Sequence, residues 1–397
     1  MGVYEDIESG MYQESIPCRL VRINQKEASE ILGRATDLLV VERVPRIVHG
    51  QMVKQERPEE SRETVYLVVG PGEAVANTDI FYLARGSADK GIKAELVLSY
   101  KYFTHTELLK RAGIEEEEYQ SSYNKVGGII HLNIKEEALK HKKILSRVLF
   151  DKIKDCKTVI RKASSISGVF RNFEIEHLQG EKTYATVQKE NGLRFAIDYD
   201  KVYWNSKLQM ERHRLVEVIK RGDTVCDMFC GVGPFSILAL LHGARVWAND
   251  LNPDSIKNFK ESIVLNRKPL QIKSRSSHWN DQLEDRVHLS NQDAGVFLEE
   301  VTEAYNQGSR EIELFDHYIL NLPELTLQYV RHFPKIESRA KNTGRVHAYF
   351  FIHPGESAVA KIEEAMQRKV VSTQRLVRKV SPSKEMWLVS FLLGKTS

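Results

Sequence analysis

Residues 224–236 read TVCDMFCGVGPFS, which predicts an apolar strand, a tight glycine turn and the first turn of a helix. Glycine tolerates positive φ and lets the backbone approach a ligand closely. The helix after such a turn offers free N–H groups to an anionic group. A Gly-x-Gly turn alone is also compatible with simple packing, so its meaning depends on the segments that follow it.

Two more predicted strands end in acidic residues downstream of this turn. Residues 246–253 read VWANDLNP, and Asp250 stands about twenty residues after the glycines, where a carboxylate can accept both ribose hydroxyls. Such an acid disfavours a 2′-phosphate. Residues 290–294 read SNQDA, and Asp293 is our choice for the side chain beside an adenine amino group. The pattern fits one adenosine ligand lying across three strand ends; the alternative is that both aspartates only cap helices.

A fourth predicted strand ends in an amide. Residues 318–324 read YILNLPE, so an apolar strand runs into Asn321 and then Pro323. Proline gives a rigid turn, and an asparagine side chain both donates and accepts hydrogen bonds. Asn321 can therefore hold the planar edge of a base in the same crevice, although a plain strand-ending turn is the alternative.

The second half of the chain alternates apolar strands with longer helical patterns, which favours βαβ units and a mostly parallel sheet of an α/β fold. The last two strands, joined by Ser381-Pro382-Ser383-Lys384, predict a hairpin at the sheet edge. The candidate strands are Thr224–Met228, Arg245–Asn249, Val287–Ser290, His317–Leu320, Arg345–Ile352, Gln374–Val380 and Glu385–Leu393.

The first half predicts smaller modules. Short apolar stretches between residues 16 and 105, for example 38–41 and 65–69, indicate a small α/β module, followed by a helical pattern and acid run over 106–118. Residues 129–134 then predict a strand and 135–154 a long amphipathic helix. The segments 157–161 and 183–187 predict a second small sheet. We therefore expect domains at residues 1–118, 119–194 and 195–397.

Composition narrows the class of protein. Of the 397 residues, 42% are hydrophobic and 28% charged, which is ordinary for a globular protein and excludes disordered and fibrous classes. No run approaches the ~18 apolar residues of a membrane helix, and the acidic start lacks the features of a signal peptide. We expect no membrane association and a location in the cytoplasm, the nucleus or both, with the mitochondrial matrix also compatible.

Cysteine content and charge add two expectations. Four scattered cysteines are too few for a disulfide framework or a zinc cage, so we expect no metal. The formal net charge of +4 is a mild basic excess, compatible with a nucleic-acid partner but not specific for one.

The motifs together resemble the eukaryotic and archaeal class I tRNA (guanine37-N1)-methyltransferases. This resemblance implies a Rossmann-like class I domain that uses S-adenosylmethionine (SAM), preceded by a tRNA-binding module at 1–118 and a middle RNA-binding domain at 119–194. It implies tRNA as the partner, and we expect a monomer. The segments that carry the resemblance are residues 168–181, 202–212, 227–235, 249–253 and 321–323.

The resemblance also implies residue roles. Glu211 matches the general base that removes the proton from guanine N1, which is a poor nucleophile until that proton leaves. Arg171 is the positive group near O6, and Asn321 orients the base. Judged by the residues alone, Glu211 could instead belong to a solvated helix face and Arg171 could pair with Glu174. The SAM-binding residues implied are Tyr203, Arg212, Asp227, Phe229, Gly231, Gly233, Pro234, Phe235, Asp250, Leu251, Asp293, Ala294, Asn321 and Pro323.

Three other functions are compatible with parts of the pattern. One is transfer of the aminocarboxypropyl group of SAM, as in the wybutosine pathway, and another is methylation of an exocyclic amine or a different RNA site. The third is a tRNA-binding protein with a vestigial SAM fold. For any RNA-binding function, the phosphate contacts would come from basic clusters. Most such runs in proteins are only solvated faces. The clusters are Lys140–Lys143, Lys152–Lys162, Arg331–Lys341 and Lys369–Lys379.

Overall fold

The fold is taken from a computed structural model of the chain, in which two compact units are distinguished. One unit comprises Met1–Ser122 with Ile134–Lys154, and the other comprises Tyr123–Asn133 with Asp155–Ser397. The predicted division at residues 118 and 194 stays a prediction. The structure describes residues 14–24, 26, 47–48, 53–54, 64–69, 92–98, 100–115, 123–134, 136–162, 174–271, 283, 286–306, 315–339 and 344–394.

The first unit contains an antiparallel sheet and two helices among its described residues. The sheet has the order β2-β4-β1-β5-β3. A capping box between Thr104 and Glu107 starts the first helix, since each side chain accepts the other's backbone N–H. The elements are β1 Glu14–Asn24, β2 Ile47–Val48, β3 Val53–Lys54, β4 Thr64–Val69, β5 Ile92–Leu98, α1 His105–Arg111 and α2 Lys142–Lys152.

The single long helix predicted over 135–154 is wrong. Residues Glu136–His141 form a 3-10 helix, and the α-helix begins only at Lys142. The spacing of apolar residues does not distinguish i→i+3 from i→i+4 hydrogen bonding over so short a segment, which is why the sequence pattern missed the change.

The second unit begins with two small sheets. One has the order β6-β7-β8-β9, and the other is the hairpin β10-β11. Asn191 and Gly192 both adopt positive φ at the hairpin turn, which matches the right-handed twist of the strands they join. The strands are β6 Tyr123–Val126, β7 Ile129–Leu132, β8 Thr158–Lys162, β9 Ile175–Gly180, β10 Ala185–Glu190 and β11 Leu193–Asp198.

The main sheet of the second unit has the order β14-β13-β12-β15-β16-β18-β17. Its pairs are parallel as far as β16, and β17 and β18 form the antiparallel hairpin predicted at the edge. The predicted mostly parallel α/β sheet is therefore confirmed. The strands are β12 Thr224–Asp227, β13 Arg245–Asn249, β14 Val287–Ser290, β15 His317–Leu320, β16 Arg345–Ile352, β17 Ser372–Ser381 and β18 Lys384–Leu392.

Helices cover both faces of this sheet, and two of them begin at the strand ends that the sequence singled out. Gly233 has φ +86°, and a Cβ there would come within 2.5 Å of the Phe259 ring, so only glycine fits. Pro234 and Pro253 occupy first helical positions, where no N–H is needed. The helices are α3 Gln209–Val216, α4 Pro234–Leu241, α5 Pro253–Leu265, α6 Ala294–Asn306, α7 Thr326–Val330, α8 Phe333–Arg339 and α9 Ala358–Met366.

No helix in the described part of the chain is long and apolar enough to span a membrane.

Candidate cofactor and catalytic site

A cavity of about 510 Å³ lies at the carboxyl ends of the parallel strands, and we name it the carboxyl-edge cavity. Nine of the residues predicted to bind cofactor line it: Tyr203, Phe229, Gly231, Asp250, Leu251, Asp293, Ala294, Asn321 and Pro323. The other lining residues are Asn205, Leu208, Asn249, Asn252, Ser255, Leu322, Leu325, Tyr329, Phe351, Arg378, Val380 and Met386.

Asp250 is fixed at the rim of this cavity by backbone donors. Its two carboxylate oxygens accept hydrogen bonds from the N–H of Gly231 at 2.8 Å and of Asn252 at 2.9 Å. Burial raises the pKa of Asp250, while these N–H donors and the Ser255 side chain oppose the rise. The cap of helix α5 is Asn252, whose side chain accepts from Asp254 N–H. Capping α5 therefore does not explain Asp250, and the arrangement suits a carboxylate that binds ribose hydroxyls.

Asp293 also lines the cavity, but its carboxylate is engaged within the protein. One oxygen accepts from the N–H groups of Gly295 and Val296 in the first turn of α6, at 2.8 and 3.3 Å. The other oxygen accepts from the Tyr329 hydroxyl at 3.1 Å. The helix-cap interpretation thus holds for Asp293, and its contact with adenine stays a prediction that rests on its place in the cavity wall.

Four residues of the glycine-turn motif lie behind the cavity rather than on its wall: Asp227, Gly233, Pro234 and Phe235. Asp227 is 1% exposed and accepts a 2.7 Å hydrogen bond from Ser236 Oγ. Burial raises its pKa to about 7. These residues shape the turn and the start of α4, and their contact with the cofactor stays a prediction.

Asn321 reaches the cavity from the turn after β15. The Thr326 side chain and the Pro323 carbonyl fix this turn: Thr326 Oγ donates to the Leu322 carbonyl at 3.0 Å, and Phe351 N–H donates to Pro323 at 3.2 Å. The amide oxygen of Asn321 is buried and accepts no hydrogen bond. A buried acceptor without a donor is costly, so a donor from a ligand bound beside Asn321 would stabilise this atom.

Glu211 lies in α3 but does not line the carboxyl-edge cavity. It is 4% exposed, and its carboxylate accepts from the Tyr349 hydroxyl at 3.0 Å and pairs with Arg375 at 2.5 Å. It lines a second cavity of about 550 Å³ near the starts of β15 and β16, which we name the amino-edge cavity. Its lining residues are Glu211, Arg214, Leu215, Val218, Lys220, His317, Arg345, His347, Thr373, Arg375, Leu388 and Ser390.

Arg212 was predicted to bind the cofactor, but it does not line the carboxyl-edge cavity. Its guanidinium donates to both carboxylate oxygens of Glu190 at 2.7 Å, and to the Asn205 carbonyl at 2.8 Å. It also lies over the Trp204 ring, 4.5 Å from the centroid. With Arg212 and Glu190 both 3% exposed, this is a buried ion pair that holds the segment carrying Asn205 and Tyr203 against the fold.

Comparison with known proteins places the chain in a family. Residues 186–374 match the family model described as TRM5/TYW2 methyltransferase domain, and residues 106–183 match the model described as TYW2 N-terminal domain. A tRNA (guanine(37)-N(1))-methyltransferase of Encephalitozoon cuniculi (strain GB-M1) is 40% identical over 298 residues, which cover 75% of this chain and 74% of that protein. The chain belongs to the TRM5/TYW2 methyltransferase family. The resemblance seen in its motifs is thereby confirmed, and with it SAM as the cofactor.

A second curated relative supports the same family, and a solved structure supports the same fold. A tRNA (guanine(37)-N(1))-methyltransferase of Anopheles gambiae is 33% identical over 348 residues, covering 83% of this chain and 60% of that protein. Among solved structures, the complex of aTrm5 and tRNALeu superposes with a TM-score of 0.63 at 24% identity, covering 95% of this chain and 100% of that one. At this level of identity the likeness shows the fold, and the predicted Rossmann-like methyltransferase fold is confirmed.

The residues present fit SAM on two structural observations. The Asp250 carboxylate is held at the rim by the Gly231 amide. The space beside Gly231 is open, because a Cβ built there would meet no atom within 4 Å. An adenosine ribose can therefore approach the backbone closely where a carboxylate is ready to accept its hydroxyls.

Several cavity residues had no sequence signal that linked them to the cofactor site, although Arg378 falls within the basic cluster Lys369–Lys379. Phe351, Arg378, Val380 and Met386 come from β16 and the terminal hairpin, far from the glycine turn in sequence. Asn291 does not line the cavity but supports its rim, because its side-chain amide donates to the carbonyls of Asp250 and Leu251.

Arg171 lies outside the described residues, as does the polar stretch 274–281. In two predicted basic clusters, Lys335 and Lys369 form ion pairs with Glu299 and Glu363. No group of three or more metal-ligating side chains occurs within the described ranges.

Proposed function

We propose that this chain transfers the methyl group of SAM to N1 of guanine 37, next to the anticodon of tRNA. One observation carries the proposal. The carboxyl-edge cavity combines Asp250, suited to an adenosine ribose, with Asn321, whose buried amide oxygen lacks a donor. A guanine presents N–H donors at its Watson–Crick edge, so the cavity has one position for the nucleoside of SAM and another for the target base.

Asp250 and Gly231 would hold the ribose of SAM, and the cavity wall at Asp293 and Ala294 would contact the adenine. When bound, SAM supplies an electrophilic methyl group on its sulfonium. Asn321 would accept from an N–H of the guanine and so orient N1. Leu208 and Phe229 would limit the access of water.

Glu211 is proposed as the general base that takes the N1 proton, a role that rests on the family resemblance. Its carboxylate lies beside Arg375 and Tyr349, away from the lining of the carboxyl-edge cavity. The role therefore requires that binding of the target nucleotide draw Glu211 away from Arg375. Arg171 would stabilise the charge that deprotonation spreads onto O6.

Incubation of unmodified tRNA with methyl-labelled SAM, followed by nuclease mapping and mass spectrometry, tests the proposal. The expected product is N1-methylguanine at position 37. Transfer of an aminocarboxypropyl group, which leaves the methyl label off the RNA, would overturn it. So would methylation at another position, or no product from a preparation that binds SAM by calorimetry.

The remaining expectations are part of the same proposal. We propose that the chain acts as a monomer and does not associate with a membrane. We also propose that it acts in the cytoplasm, the nucleus or the mitochondrial matrix. Light scattering after size-exclusion chromatography and fractionation of the native protein test them.

A further inference from the structure

The wall of the carboxyl-edge cavity continues past Asn321 in the direction away from Asp250. In the order of the sheet, Asp250 and Gly231 follow β13 and β12, Asn321 follows β15, and the next strands are β16, β18 and β17. Apolar side chains from these last strands, Phe351, Met386 and Val380, form that wall. This half of the cavity is where a base would lie if the adenosine of SAM lies over β13 and β14.

One cation stands in this wall, and we propose that it reads the target base. We infer that Arg378 binds the O6/N7 edge of the target guanine and thereby selects guanine over adenine. The inference rests on the proposed function. Among the described residues that line the cavity, Arg378 is the one cation.

A β-bulge aims this arginine at the cavity. Opposite β17, Arg375 faces Leu388 and Leu376 faces Trp387, but the register then shifts and Arg378 faces Met386. Regular strands alternate faces, so residues three apart would normally lie on opposite sides. The extra residue places Arg375 and Arg378 on one face, alongside the core residues Leu388 and Met386.

The guanidinium of Arg378 is free to bind a ligand. Within the described chain it makes no hydrogen bond or ion pair, whereas Arg375 is paired with Glu211. The two carboxylates of the cavity wall have other partners: Asp250 accepts from Gly231 and Asn252, and Asp293 accepts from the start of α6 and Tyr329. Arg378 is therefore not used to balance a carboxylate of the cavity.

Guanine fits this cation chemically. Its O6 and N7 are adjacent acceptors, and a planar guanidinium donates to both in a bidentate pair. Adenine presents an N6 amino donor in place of O6, which a guanidinium cannot satisfy. When N1 loses its proton the negative charge spreads onto O6, so the same contact strengthens as the reaction proceeds. O6 has two lone pairs and can also accept from a second cation.

A substitution in the protein combined with one in the RNA tests the contact. The enzyme is assayed on tRNA with guanine or 7-deazaguanine at position 37, as wild type, Arg378→Gln and Arg378→Lys. For wild type, 7-deazaguanine should lower kcat/KM by about 10-fold, because the N7 bond is lost. Arg378→Gln should lower kcat/KM on guanine by roughly 10- to 100-fold, and 7-deazaguanine should cause no further loss.

Arg378→Lys should recover only part of the activity, since ammonium lacks the bidentate fork. Lys361→Gln, at a surface cation of α9 that pairs with Glu356 and lies outside the four basic clusters, is the control and should act like wild type. SAM affinity measured by calorimetry should stay the same in each variant, which also shows that the cavity has folded.

Two results would overturn the inference. If 7-deazaguanine costs Arg378→Gln the same factor as wild type, Arg378 does not contact N7. If Arg378→Gln weakens both RNAs equally and lowers the salt dependence of binding by about one charge, Arg378 binds a phosphate instead. Failure of wild type to form N1-methylguanine at position 37 would reject the proposed function and not this contact alone.

Discussion

The carboxyl-edge and amino-edge cavities are similar in volume, about 510 and 550 Å³, and share strands of one sheet, yet their charges are opposite. Two aspartates and one arginine line the first. Four cations and one carboxylate line the second: Arg214, Lys220, Arg345 and Arg375 with Glu211. The first suits a ribose and a neutral base, whereas the second suits an anion.

Helix α3 and the turn before it connect these two environments. Leu208 lines the carboxyl-edge cavity, and Glu211, three residues later, lines the amino-edge cavity. One helical turn thus separates the predicted base from the predicted cofactor site. A motif can therefore carry the predicted residue while its tertiary partners decide which cavity that residue faces.

The largest effect is expected for Glu211→Gln. If Glu211 takes the N1 proton, the rate of methyl transfer in a single turnover should fall by about 10²- to 10⁴-fold, while SAM affinity stays within about 2-fold. Glu217→Gln, at the C-cap of the same helix and paired with His213 at the surface, is the matched control. Turnover near the wild-type rate would assign Glu211 to the amino-edge cavity as a structural ion pair.

A large loss of stability is expected for Arg212→Met. Removing one member of the buried pair leaves Glu190 charged without a partner, at a cost of about 3–5 kcal/mol in the free energy of unfolding. The double variant Arg212→Met/Glu190→Leu should recover much of this loss, because no buried charge remains. Urea denaturation measures both. If the free energy of unfolding of Arg212→Met lies within about 1 kcal/mol of that of wild type, the ion pair does not have the structural role assigned to it here.

An intermediate effect is expected for Asp250→Asn. The amide keeps the shape but loses the charge and an acceptor site, so SAM affinity should fall by roughly 10- to 100-fold, as for loss of a charged hydrogen bond. Asp254→Asn, which pairs with Lys201 farther along the same segment, should leave the affinity unchanged. Isothermal calorimetry gives both values, and equal affinities for the two variants would remove the ribose assignment.

The smallest expected effects concern the change of stability with pH. The contributions of Asp227 and His347, at the two ends of the sheet, should have opposite signs. Asp227 has a pKa of about 7 against an ordinary value of 3.8. The folded protein keeps a proton that the unfolded chain has lost, so the free energy of unfolding falls as pH rises from about 4 to 7. Burial holds the pKa of His347 well below 6.5, so the unfolded chain takes up a proton first and stability falls as pH drops below 6.5.

Thermal melts across pH 4–8 check both signs. As pH rises to 7, the Tm of wild type should fall relative to that of Asp227→Asn. As pH falls below 6.5, the Tm of wild type should fall relative to that of His347→Gln. Shifts of roughly 2–4 °C are expected, and a common sign for both pairs would contradict the contrast between the two ends.

Much of the fold followed from local pattern. Four strands of the main sheet, Arg245–Asn249, Val287–Ser290, His317–Leu320 and Arg345–Ile352, have the predicted bounds, because apolar runs between polar turns mark buried parallel strands. Asp250 and Asn321 were placed at the sheet edge for the same reason, since parallel strands end at one edge. Phe351, Met386 and Arg378 were not predicted to line this cavity, because β16, β18 and β17 contribute them and no spacing along the chain links them to the glycine turn.

Local sequence was sufficient to predict the parallel strands of the main sheet, the glycine turn and the acid that follows it, because these depend on neighbouring residues and on backbone geometry. Tertiary structure alone decided that Arg212 pairs with Glu190, that Glu211 faces Arg375, and that a bulge turns Arg378 into the cavity. Each of these depends on the partner that packing brings near, and burial makes an unpaired charge so costly that the nearest partner determines where the side chain lies.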